Sequence, residues 1–197
     1  YNFDKSIKKL YVTFEFDYWN ECDKRPYGKI TQNLGSINQL NNFYEYLLYC
    51  KSLNVSIQKF TKDVKQRLTK ETNETIIENI TKKYNLDIIT KKDEFVFSID
   101  SKNSLDYDDA ISYNFNQHKI SIYITNVALI MDYLNLWNSF SKRISSIYLP
   151  DKKRPMLPAG LSESICSLVT DSKSIVFAMD ITLDTDYNII SIEFNNC

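Results

Sequence analysis

Near Glu94 the hydrophobic pattern changes period, and no single repeating architecture accommodates both halves of the sequence. Before that point Ile37, Leu40, Phe43, Tyr44, Leu47 and Leu48 recur at helical spacing, which predicts a helix to about Lys51. Ser36-Ile37-Asn38-Gln39 has the S-x-x-Q form of a capping box, with Ser36 as N-cap and Gln39 reaching back. A second helix is expected over 57–69 and a third over 73–84, where Ile76, Ile77, Ile80 and Tyr84 share a face. After the change, Phe95-Val96-Phe97-Ser98-Ile99 reads as a strand. Ile111, Tyr113 and Phe115 alternate, Asn116-Gln117-His118 turns the chain, and Ile120, Ile122 and Ile124 alternate again, the pattern of a hairpin. Residues 128–144 return to helical spacing, and Pro150, Pro155 and Pro158 then punctuate a loop. A final hairpin is expected from Ile175 to Leu183 and from Ile189 to Phe194, turning at Asp184-Thr185-Asp186. The class is therefore α+β, an antiparallel sheet with packed helices.

The opening stretch Tyr11-Val12-Thr13-Phe14-Glu15-Phe16 reads as a strand, and Arg25-Pro26-Tyr27-Gly28-Lys29-Ile30 as a turn and a second strand closed by Gly35. With only 3 glycines and 4 prolines, each one present marks a specific turn. The chain starts without methionine and almost directly in a strand, so a segment from the middle of a longer protein is expected. A formal net charge of -1 excludes a uniformly basic nucleic-acid coat but leaves room for a local basic patch. No run of eighteen apolar residues and no signal-peptide pattern occurs, so no membrane span and no secretion are expected. Cys22, Cys50, Cys166 and Cys197 are scattered, with no CxxC pair and only His118 beside them, which argues against zinc. Scattered thiols suggest a reducing compartment, cytoplasmic or nuclear.

The chemistry concentrates directly after the strand at 95–99. Asp100, Asp106, Asp108 and Asp109 form the pattern D-x-x-x-x-x-D-x-D-D. Carboxylates this dense repel one another unless a cation neutralises them. Oxygen donors select Mg²⁺, Mn²⁺ or Ca²⁺ over zinc, and the glycine and distal glutamate of an EF-hand loop are missing. Taken alone, four aspartates in a loop also read as solvated surface.

The surrounding residues add a specific resemblance. Ser98-Ile99-Asp100-Ser101-Lys102-Asn103-Ser104-Leu105-Asp106-Tyr107-Asp108-Asp109-Ala110 resembles the signature that opens the catalytic domain of the ribonuclease II and R family, the RNB domain. Arg143-Ile144-Ser145-Ser146-Ile147-Tyr148-Leu149-Pro150 looks like its R-x-x-S-x-Y-L-P segment. Arg154-Pro155-Met156-Leu157-Pro158 and Leu161-Ser162-Glu163-Ser164-Ile165-Cys166-Ser167-Leu168 resemble its P-M-L-P and L-S-x-x-x-C-S-L blocks. The resemblance implies three parts: residues 1–35 as the tail of an OB-like cold-shock domain, 36–92 as a helical connector, and 93–197 as the N-terminal part of the catalytic domain. One departure stands after the second strand, where Asn126 replaces the family's aspartate in a position read as structural.

What the resemblance implies is hydrolysis of single-stranded RNA from the 3′ end to nucleoside 5′-monophosphates. Asp100 and Asp109 would coordinate Mg²⁺ or Mn²⁺, Asp106 would complete or orient the shell, and Asp108 would hold the attacking water or a second metal. Asp106 and Asp108 are thus the expected catalytic residues, and all four aspartates the expected metal ligands. Tyr148 would stack on the terminal base, while Arg143, Lys152, Lys153 and Arg154 would line the phosphate path. The family's catalytic domain continues well past the position of Cys197, so the 197-residue chain by itself is expected to hydrolyse poorly or not at all. The alternative is a non-catalytic RNA-binding or scaffolding homologue of the same fold. Membership of an RNA-decay complex stays open.

Overall fold

The computed structural model of the chain describes residues 9–89, 95–140 and 142–197. Residues 1–8 of the expected cold-shock tail, 90–92 of the expected connector, Asp93 and Glu94 of the expected catalytic part, and Ser141 of the expected helical run lie outside them. The chain divides into two compact units, residues 1–55 and 56–197, so the stretch 36–92 is shared between them.

In the first unit β1 (Leu10–Phe16) and β2 (Gly28–Ser36) form an antiparallel hairpin that pairs Leu10 with Ser36 and Phe16 with Gly28. Helix α1 (Leu40–Cys50) follows, with Leu48 buried and Tyr46 stacked on Tyr11 at 4.6 Å between ring centroids. The helix starts later than the capping box predicts. Ser36 is still in the ladder, and the next residue, Ile37, donates its N–H to the Lys9 carbonyl at 3.1 Å. The Ser36 hydroxyl accepts from the Asn38 N–H at 3.3 Å, and Gln39 becomes the N-cap with no side-chain capping bond, its Oε1 instead accepting from Asn42 Nδ2 at 3.0 Å. Gly35, just before Ser36, has φ +108, a backbone conformation that favours glycine, and a Cβ there would lie 2.4 Å from Asn42 Nδ2. Among the described residues nothing closes this hairpin into a barrel.

The second unit carries the sheet. Helices α2 (Gln58–Leu68) and α3 (Asn73–Tyr84) match the periodicity, and α3 is capped by Thr72, whose hydroxyl accepts from the Thr75 N–H. Phe60, Val64, Ile76 and Ile80 from these helices are essentially fully buried with Ile130, Met131, Leu161 and Ile175 in one core. Burying each aliphatic side chain of this size contributes about 1.5–3 kcal/mol, and this is what holds the helices to the rest of the unit.

Strand β3 (Val96–Phe97) is shorter than the sequence suggests, and β4 (Asp109–Asn114) and β5 (Lys119–Thr125) form the expected hairpin. Its turn is closed by Asn114 Oδ1, which accepts from the N–H groups of Asn116 and Gln117 at 3.1 Å. Helix α4 (Val127–Tyr133) ends well before residue 144. Asn135 takes φ 52 and the Leu136 N–H donates back to the Met131 carbonyl, which terminates the helix; one 3₁₀ turn follows at Trp137–Ser139. The proline-punctuated loop contains a small ribbon, β6 (Ile147–Tyr148) with β7 (Lys153–Arg154), and a single π-turn at Leu161–Ile165. Strands β8 (Val176–Leu183) and β9 (Ile189–Asn196) complete a five-stranded antiparallel sheet in the order β3-β4-β5-β8-β9. The α+β class read from the sequence is the one the chain adopts. No helix among the described residues is long and apolar enough to cross a membrane.

Candidate active site

Sheet register decides where the acidic residues go. Asp109 opens β4 opposite Ile124, and Thr125, closing β5, lies opposite Val176, which opens β8. The start of β4, the end of β5 and the start of β8 therefore meet at one end of the sheet. There the Thr125 N–H donates to the Asp108 carbonyl at 3.0 Å and the Asn126 N–H to the Ile175 carbonyl at 2.9 Å. The whole excursion from 126 to 175 thus leaves from and returns to the end where the acidic loop arrives. Asn126 is structural, as expected: its Oδ1 accepts from the Leu129 N–H at the start of α4, and its Nδ2 donates to Asn196 Oδ1 at 2.7 Å.

The acidic loop is tied down from behind by the L-S-x-x-x-C-S-L block. Ser167 is 2% exposed, and its hydroxyl accepts from the Tyr107 N–H at 3.0 Å, while the Leu168 N–H donates to the Tyr107 carbonyl at 2.9 Å. Beside it Cys166 is buried, and burial together with the charge of Asp108 pushes its thiol up to about 12, so it is inert packing. The sequence match flagged this block without assigning it a role. The long-range bonds are that role.

The Asp108 carboxyl is raised above the usual range. Partial burial is the first cause, and the charges of Asp106, Asp109 and Asp100 add to it against the opposing charge of Lys153. The charges of the three other predicted aspartates thus all bear on Asp108. Asp106 is turned onto Lys153, which donates from Nζ to its Oδ2. Among the described residues no three His, Cys, Asp or Glu side chains converge into a ready cage for a metal ion. The donor set nonetheless fits a hard divalent cation in chemistry, because it offers only carboxylate oxygens whose mutual repulsion such a cation would relieve.

The basic and aromatic candidates separate into different roles. Tyr148 is 74% exposed at the end of β6, an open ring available for stacking. Lys153 faces it across the ribbon, with Nζ 5.4 Å from the ring centroid. Lys152 is exposed in the connecting turn, where its carbonyl accepts from the Leu149 N–H at 2.9 Å, and Arg154 is half-buried. Arg143, expected to line the phosphate path, sits deeper than the other cations. It is only 8% exposed, donates from Nη1 to the Pro155 carbonyl at 2.8 Å, and has its pKa lowered by burial. Together with the bond from the Met156 N–H to the Ser146 hydroxyl, it fastens the ribbon's two flanks. A cleft of about 810 Å³ elsewhere in this unit reaches Ser98, Ala110 and Leu168 but none of the four carboxylates, and its walls are mainly apolar.

Comparison with known proteins agrees with the fold. The RNB domain family matches residues 87–197. Ribonuclease R of Mycoplasmopsis pulmonis is 34% identical over 105 residues, which cover 52% of this chain and 14% of that protein. The structure of Mycoplasma genitalium RNase R in complex with ribose-methylated single-stranded RNA superimposes with a TM-score of 0.61 at 20% identity, over 98% of this chain and 30% of that one. Yeast Ssd1, a pseudonuclease, superimposes with a TM-score of 0.62 at 15% identity, over 94% of this chain and 23% of its own. The 197-residue chain thus spans less than a third of each of these relatives.

Proposed function

As this chain belongs to the RNB domain family, we propose that its acidic sheet end is the metal-dependent half-site of an exoribonuclease. The reaction is hydrolysis of single-stranded RNA from the 3′ end, one nucleoside 5′-monophosphate at a time. The observation that carries this reading is that the acidic loop meets the sheet where Asp109 opens β4 and the Thr125 N–H bonds the Asp108 carbonyl, while Lys153, beside the Tyr148 ring, bonds Asp106. Asp100 and Asp109 would hold Mg²⁺ or Mn²⁺ with Asp106 completing the set. Bound there, such an ion would polarise the scissile phosphate and ease deprotonation of the attacking water. Asp108, ionised beside that charge, orients the water and takes up its proton. Tyr148 stacks on the terminal base without reading its identity, which suits stepwise removal of any nucleotide. Lys152 and Arg154 sit on the same ribbon as candidate phosphate contacts, whereas Arg143 serves as its fastener. Four free cysteines fit a reducing, intracellular setting.

A second reading has one observation behind it. Lys153 already holds Asp106, and a pseudonuclease shares the fold, so the chain could retain RNA without cutting it. The deciding experiment grafts residues 87–197 in place of the matching segment of a full-length ribonuclease R. It follows a 5′-labelled single-stranded RNA with Mg²⁺ or with EDTA. A ladder that shortens from the 3′ end only with metal supports the exonuclease. RNA held tightly but never shortened supports the non-catalytic homologue.

A further inference from the structure

Lys153 is placed by two independent constraints. The ribbon register sets it directly opposite Tyr148, and the turn between them is closed by the bond from the Leu149 N–H to the Lys152 carbonyl. From that position its side chain crosses to an element 47 residues away and ends on Asp106 Oδ2. The ammonium also lies 5.4 Å from the Tyr148 ring centroid, and its stem is about two-thirds shielded from solvent. A lysine on a surface ribbon normally leaves its head in water. This one is aimed inward, onto one of four mutually repelling carboxylates.

We propose that Lys153 is a tethered cation that competes with the divalent metal for Asp106 and so sets the metal affinity of the site. The inference rests on the metal-site reading and deepens it. In the metal-free chain the ammonium supplies positive charge to the acidic loop at Asp106. When a dication arrives, both cations face the same carboxylate at contact distance, and their repulsion must be relieved by displacing the flexible lysine stem. Metal occupancy and the Lys153–Asp106 bond are therefore alternatives, and removing either one favours the other by the same factor. Lys153 is a positioning residue in this scheme: it acts on the reaction through Asp106.

The test is Mn²⁺ binding to the 197-residue chain, read from the electron paramagnetic resonance signal of free Mn²⁺, which needs no turnover. Lys153→Met and Lys153→Gln remove the charge by two routes, so that one poorly folded variant, detected by circular dichroism, does not decide the matter. Both should bind Mn²⁺ at least about 5-fold more tightly than the wild-type chain. Lys153→Arg, which keeps the charge, should remain within about 2-fold of wild type. In an Asp106→Asn background the gain from Lys153→Met should vanish, which separates competition at Asp106 from a general charge effect. Equal Mn²⁺ affinity in wild type and Met variant, or weaker binding in the Met and Gln variants, overturns the competition while leaving the metal site standing. Absence of Mn²⁺ binding in every variant overturns both.

Discussion

The backbone N–H of Tyr107 donates to the buried Ser167 hydroxyl at 3.0 Å, and through that bond a loop carrying the chemistry is held by a turn sixty residues further on. The neighbouring bond from the Leu168 N–H to the Tyr107 carbonyl makes the attachment two-sided. Asp106 and Asp108 flank Tyr107, so their spacing from the sheet end depends on this clamp.

Ser167→Ala is therefore expected to act on both stability and the site. It leaves the Tyr107 N–H without its partner in a part-buried position, at a cost of about 1–3 kcal/mol. For a chain of this size that corresponds to a fall in Tm of roughly 2–12 °C. Thermal unfolding by circular dichroism checks the first effect, and Mn²⁺ affinity should weaken with it. An unchanged Tm would show that the serine hydroxyl is not what holds the loop.

Asp108→Asn separates chemistry from binding. In a ribonuclease R carrying the grafted segment 87–197, hydrolysis should fall by about 10²–10³-fold or more, since the carboxylate acts on charge that develops in the transition state. RNA affinity, measured by fluorescence anisotropy, should stay nearly constant. Wild-type turnover in this variant would remove Asp108 from the mechanism.

How much of the molecule is legible in its sequence varies with the range of the interaction. Helices α2 and α3 and both hairpins of the sheet follow from local periodicity, carried by residues near in sequence, although β9 leaves its apolar residues exposed. Helix α1 starts late because strand pairing at Ser36, with the adjacent bond to Lys9, outcompetes a local capping pattern. The run over 128–144 breaks at Asn135, where a left-handed residue ends the helix although the apolar spacing continues. The four aspartates are visible as a pattern, and the register at Asp109, Thr125 and Val176 explains why the loop that carries them ends where β4, β5 and β8 meet. The inward aim of Lys153 and the burial of Arg143 leave no mark in the sequence, since both depend on partners brought close by the ribbon. From their neighbours alone, both residues read as surface cations.

Tyr148→Ala tests the stacking platform. A base on an exposed ring is held by about 1–3 kcal/mol, enough to shift where a short RNA pauses but not enough to dismantle the acidic site. The grafted enzyme carrying this change should still degrade RNA while leaving limit products of altered length, read on a sequencing gel. Identical ladders, with folding verified by circular dichroism, would mean that Tyr148 does not touch the terminal base.

A pH-dependent prediction lies away from the site, at the turn between β8 and β9. Asp184 Oδ1 accepts from the N–H groups of Asn188 and Asp186, each at 2.8 Å, and Asn188 Nδ2 donates to its Oδ2 at 3.1 Å; these bonds, those from Asn188 foremost, hold its carboxyl below the usual value of 3.8. A group whose pKa is depressed by folding binds fewer protons in the native chain than in the unfolded one. It therefore adds stability at pH values above 3.8, and that contribution disappears as pH falls through the native value. Asp184→Ala should lower Tm at pH 7, and the gap between variant and wild type should narrow steadily below about pH 4. Asp184→Asn keeps an acceptor oxygen for the turn and should recover part of the loss at pH 7 while flattening the pH dependence. Melting curves from about pH 2.5 to pH 7 for the three chains provide the measurement. A gap between wild type and the alanine variant that stayed constant over that range would show that the charge on Asp184 contributes nothing to the turn.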